Sequence, residues 1–142
     1  MKIFEALRKD HDKQRALLKI LLETQGESPT RQEYYQQLKD ALATHAIAEE
    51  RYFYAPLMQA DETIALSRHG VADHHQIDKL IAKLDDTEMS SPAWLAAFKQ
   101  LTEKVEHHLA EEEREFFQMA GKALSEKEKH DLAEDYLAEM GS

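Results

Sequence analysis

A chain of 142 residues is long enough to bury one real core, and its formal charge of −10 argues against nucleic acid or an anionic membrane surface as partner. The chain has no cysteine, which rules out disulfides, thiolate metal ligands and thiol chemistry. No apolar run approaches the ~18–20 residues that span a bilayer. The first residues turn charged and amphipathic at once rather than reading as a signal peptide, so the expected compartment is cytoplasmic.

Four glycines and three prolines among many Ala, Leu, Glu, Lys and Gln predict helix almost throughout. A first helix carries Phe4, Leu7, His11, Leu18 and Leu21 on one face and ends near Gly26. Ser28-Pro29 has the cap-plus-proline form of a helix start, and opens a second helix. Its stripe runs Tyr35, Leu38, Leu42, His45, Glu49, Tyr52 and Pro56, with Pro56 as the terminator or a kink. Asp61 is the expected cap of a third helix, which carries Val71, His74, Ile77, Ile81 and Leu84. Ser91-Pro92 repeats the helix-start signal. The fourth stripe is Trp94, Phe98, Leu101, Val105, His108, Glu112, Phe116 and Met119. Ser125-Glu126-Lys127-Glu128 is a capping box that opens a short fifth helix over about 125–140. These elements predict an all-α fold in a single domain over 1–142. About residues 1–120 form an antiparallel up-down-up-down four-helix bundle, with the short C-terminal helix added to it.

Histidine and carboxylate on core stripes cost several kcal/mol unless something compensates. One such histidine is ordinary in a protein core. Four histidines and two glutamates on core stripes call for a shared partner, and a metal is the economical one. The spacing agrees. His11 and His45 are 34 residues apart, as are His74 and His108, and the midpoints of successive histidines fall in the three predicted turns. An antiparallel bundle therefore sets all four at one level. The halves also match at an offset of 63, Asp10-His11 with Asp73-His74 and His45-x-x-x-Glu49-Glu50 with His108-x-x-x-Glu112-Glu113. Each half supplies two imidazoles and a carboxylate. His and Glu four apart share a helix face, and carboxylates can bridge two ions. The Glu-x-x-His pattern of ferritin-like di-iron proteins is absent.

In this order and spacing the motifs resemble the hemerythrin-like (HHE cation-binding) domains, over roughly residues 1–120. The resemblance implies two iron ions, joined by an oxo, hydroxo or water bridge, with His11, His45, Glu49, His74, His108 and Glu112 as ligands. It implies a centre that binds or senses dioxygen, nitric oxide or iron itself; the alternative is an enzyme acting on peroxide or nitric oxide. A metal-free structural bundle is the third reading. Oxygen-carrying members have His-x-x-x-His on the third helix and an aspartate on the fourth. Here Gly70 stands four before His74 and the fourth-helix carboxylate is Glu112, which weighs against reversible oxygen carriage. His69 could replace the missing histidine if a π-bulge at Gly70 turned it inward; a regular helix, with His69 outside, is the preferred reading.

His75, His107 and His130 are expected at the surface. Glu50 and Glu113 read as solvated charges paired with nearby Lys or Arg, with a ligand-orienting role as the alternative. Asp10 and Asp73 stay open between helix-surface charges and acceptors for inward imidazoles. Tyr35, Tyr52, Trp94, Phe98, Phe116 and Met119 read as core, and Tyr52 beside the metals is a candidate redox tyrosine. No proton donor or organic-substrate pocket is evident.

Overall fold

Helix α1 (Ile3–Leu22) buries Ile3, Leu7, His11, Leu18 and Leu21 on a single face. It is the first of five continuous helical runs in the computed structural model, which describes residues 1–141 and contains no strand among them. The second run, α2, begins as α-helix over Pro29–Glu49, passes through a π-helical turn at Glu50–Tyr54 and finishes at Ala55–Leu57. Helix α3 spans Ile64–Asp85. Helix α4 begins over Pro92–Glu111, passes through a second π-helical turn at Glu112–Phe116 and finishes at Phe117–Ala123. Helix α5 spans Glu126–Gly141.

The caps explain most of these boundaries. Ser28 accepts from the Arg31 amide at 3.1 Å, and Gly26 turns the chain ahead of it with a φ of 57°. Ser125 and Glu128 satisfy each other's amides at 3.1 and 2.8 Å, a complete capping box. The start of α3 differs from expectation. Asp61 caps nothing; the helix begins after Thr63, whose hydroxyl instead donates to the Leu57 carbonyl at 2.6 Å. Arg31 is buried and ties two connections together, donating to the Thr24 carbonyl at 2.7 Å and the Met89 carbonyl at 2.9 Å.

Helix α1 packs along α2, α4 and α5, and α3 packs along α4. The core divides in two. One apolar cluster gathers Leu18, Leu21, Leu38, Leu42, Leu84, Trp94 and Phe98. The other gathers Ile3, Leu7, Phe53, Tyr54, Phe116, Phe117 and Tyr136. On α1, α2 and α4 the residues between the clusters are His11, His45 with Glu49, and His108 with Glu112. A buried polar layer thus separates two apolar halves.

The π-helical turns reset the stripes. In each, a backbone N–H reaches back five residues, from Ala55 to the Glu50 carbonyl and from Phe117 to the Glu112 carbonyl. One residue is gained, so the apolar face advances by one. Phe53 and Leu57 are buried where Tyr52 and Pro56 were expected, and Ala120 where Met119 was expected.

Candidate metal centre

The four histidines meet in a ring. Their ring centroids lie 5.3 Å apart for His11–His45, 6.4 Å for His45–His74 and 5.2 Å for His74–His108. Two close pairs are therefore set slightly apart, and all four imidazoles are buried. Glu49 and Glu112, both 0 % exposed, lie between the pairs. Glu49 Oε2 is 3.4 Å from His45 Nε2 and 3.8 Å from His11 Nε2, while its Oε1 is 3.0 Å from His74 Nε2 and 3.9 Å from His108 Nε2. Glu112 turns Oε1 to His11 at 3.0 Å and Oε2 to His108 at 3.6 Å. Each carboxylate offers one oxygen to each imidazole pair.

One inward contact pairs, the hydrogen bond between His74 Nε2 and Glu49 Oε1 at 3.0 Å; the others approach without pairing. His11, His45 and His108 Nε2, Glu49 Oε2 and Glu112 Oε1 are solvent-free and have no hydrogen-bond partner among the described residues. His11 Nε2 and Glu112 Oε1 are only 3.0 Å apart yet misaligned, so both aim at a common volume rather than at each other. Two groups of donor atoms result, His11, His45, Glu49 and Glu112 in one and Glu49, His74 and His108 in the other.

Behind every imidazole stands an acid. His11 Nδ1 is 2.7 Å from Glu113, His74 Nδ1 2.7 Å from Glu50, and His108 Nδ1 2.8 Å from Asp73. His45 Nδ1 lies 2.7 Å from the Tyr136 phenol oxygen and 3.3 Å from Asp10, and Tyr136 itself donates to Asp10. An ionised carboxylate only accepts, so each of these contacts places the proton on Nδ1 and aims the Nε2 position inward. Asp10 and Asp73 are thus acceptors for buried imidazoles, which resolves the open alternative. Glu50 and Glu113 are more than solvated charges: both orient a histidine, with Arg15 also gripping Glu113 at 3.0 Å through two nitrogens.

Protonation follows from these contacts. Burial pulls His74 and His108 down, but carboxylate contacts outweigh it and lift them to about 9 and about 10. His11 and His45 rise for the same reason. Burial pushes Glu49 up, yet His45 and the other facing groups hold it well below the usual range. Glu112 goes the other way, raised by burial and by the neighbouring Glu49 charge. His11 and Arg15 hold Glu113 down to about 2.

Two tyrosines belong to this site that sequence reasoning missed. Tyr54 is fully buried and donates to Glu112 Oε2. Its ring fills the space beside Gly70, where any Cβ would collide with it. The position four before His74 therefore has no side chain because a phenol from α2 takes the volume. Tyr52, the tyrosine singled out from sequence, is only half-buried, with Arg51 near its ring. Strict three-four stepping points to Tyr52, and the π-helical turn moves Tyr54 inward instead. Tyr136 comes from α5, on the same face as the buried Lys129 and Ala133; that spacing was the available signal.

His69 lies outside the ring of histidines. Helix α3 is regular through Gly70, and His69 is half-exposed, 2.7 Å from Glu111 and 3.4 Å from Asp73. His75, His107 and His130 are exposed, as expected.

Comparisons with known proteins bear on the fold and the family. A solved structure of a hemerythrin HHE cation-binding domain-containing protein from Mycobacterium kansasii superposes with a TM-score of 0.88 at 24 % identity, covering 99 % of this chain and 86 % of that one. That likeness extends the fold through α5. No curated protein matches the sequence. The family model for the hemerythrin HHE cation-binding domain matches residues 2–120, and the chain belongs to that family.

Proposed function

We propose that the chain is a non-haem di-iron protein. One ion would be held by His11 and His45, the other by His74 and His108, with Glu49 and Glu112 shared between them. The observation that carries this reading is the set of orphaned inward atoms. Each unsatisfied buried polar group costs about 1–3 kcal/mol; four lie in the group of His11, His45, Glu49 and Glu112, and the fifth, His108 Nε2, in the adjoining group. Imidazole nitrogens and carboxylate oxygens, each imidazole held from behind, are a donor set that suits iron. The short connections and the level ring of histidines support an antiparallel up-down-up-down bundle of α1 to α4. Iron would supply redox capacity and open positions for dioxygen, nitric oxide or peroxide; the chain supplies orientation, a dry interior and fixed charge.

Binding or sensing of such a small molecule is the reading we favour. One observation favours the alternative of an enzyme acting on peroxide or nitric oxide. The Tyr54 hydroxyl donates a hydrogen bond to Glu112 inside the centre, where it could hand on a proton, although burial and the Glu49 and Glu112 charges make it a weaker acid than a free phenol. Mössbauer spectra and peroxide consumption of iron-loaded protein test both. A coupled iron pair, with peroxide loss no faster than that of free iron, supports binding or sensing. Catalytic peroxide loss that falls in Tyr54→Phe supports the enzyme. Uncoupled, surface-bound iron would overturn both.

A further inference from the structure

Gln14 follows His11 by three residues on α1 and is 2 % exposed, yet its carboxamide nitrogen has no hydrogen-bond partner among the described residues. That nitrogen is cut off from water and gains no hydrogen bond in return. The six proposed metal ligands do not account for it. What Gln14 does face is space. It lines a cavity of about 20 Å³ together with His45, His74 and His108, whose remaining wall is formed largely by Leu42, Ile77 and Val105. The same side chain lines an outer cleft of about 300 Å³ with Asp10, Lys13 and Thr44. Gln14 therefore stands between a cleft at the surface and a small chamber against the histidine ring.

The chamber suits a very small guest, since ~10–15 Å³ already holds a water. Its walls are apolar apart from the imidazoles, Asp78 and the Gln14 amide. A carboxamide nitrogen can only donate. We propose that Gln14 is the hydrogen-bond donor that anchors a small ligand of two or three heavy atoms in this chamber, selecting ligands whose outer atom accepts a hydrogen bond. Azide and hydroperoxide fit that description; an apolar gas of the same size gains little from the amide. The assignment rests on the metal-centre reading and adds to it a ligand class. Gln14 is here a positioning residue, and no proton moves through it.

The test uses Gln14→Met, which keeps length and flexibility but removes the donor. Iron-loaded wild type and variant are titrated with azide and followed optically, with iron measured in the same samples. Both should hold two irons per chain, and the variant should bind azide about tenfold more weakly, the loss expected for a hydrogen bond to a charged group. Azide affinity within about twofold of wild type at equal iron content would overturn the anchor and leave the metal centre standing. Wild type that holds no iron would overturn the metal centre and the anchor with it. A second measurement needs no metal. The urea midpoint of metal-free Gln14→Met should equal or exceed that of wild type, because an unsatisfied amide has been removed. A clear drop would show that the amide has a structural partner, and that too overturns the anchor.

Discussion

Every imidazole in the ring is gripped at Nδ1 by Glu113, Asp10 with Tyr136, Glu50 or Asp73, so rotation of any one ring would break a contact of 2.7 to 3.3 Å. Gly70 shows a different constraint, one of shape. A methyl group there would meet the Tyr54 ring, which is pinned in turn by Glu112. Gly70→Ala should therefore destabilise the protein by ~1–3 kcal/mol, the usual range for overpacking. Gly121, on a helix with open space around its Cβ position, should tolerate alanine or gain slightly from it. Urea midpoints of the two variants check this, and equal midpoints would remove the packing role given to Tyr54. The six central residues were legible in sequence because each interrupts an apolar stripe. The acids behind them were harder to read, since an Asp or Glu beside a stripe looks the same whether it meets water or an imidazole on another helix.

At the scale of elements, the two π-helical turns stand at matching places in α2 and α4, immediately beyond Glu49 and at Glu112. They rotate the following residues so that Tyr54 and Phe117 reach the interior beside the polar layer. The helices and most of their caps follow from glycine, proline and capping signals in the sequence. The π-helical turns do not, because a single inserted residue leaves no mark on composition and only half a stripe lies beyond it. Helix α5 lies outside the matched family region, yet it brings Tyr136 to His45 and Asp10. We expect Tyr136→Phe to fold but to weaken metal binding about 10–100-fold, the usual cost of losing a group that orients a ligand. Competition against a chelator of known affinity measures this. An unchanged affinity would reduce α5 to a packing element.

For the molecule as a whole, the buried layer of charge between two apolar clusters makes stability depend on pH. His74 and His108 titrate at about 9 and about 10 in the folded chain, against about 6.5 when unfolded. Groups raised in this way hold their protons more tightly when folded. The stability they add is complete below about pH 6.5 and is lost as pH rises through their folded values. Metal-free protein should then lose urea resistance steadily from about pH 7 to 10. Metal-loaded protein should lose less, because bound cations take the place of those protons. A metal-free urea midpoint that stays flat over that range would contradict the electrostatics described for the ring.

The centre itself is tested most directly by counting iron. Wild type, His108→Ala and His107→Ala are reconstituted anaerobically with ferrous iron, passed through a desalting column and assayed for iron per chain. His108 faces the ring and His107, its neighbour, is exposed. Two irons are expected in wild type and in His107→Ala, and a clear loss in His108→Ala. Wild type with iron near zero, or loss in His107→Ala with His108→Ala intact, would contradict that centre.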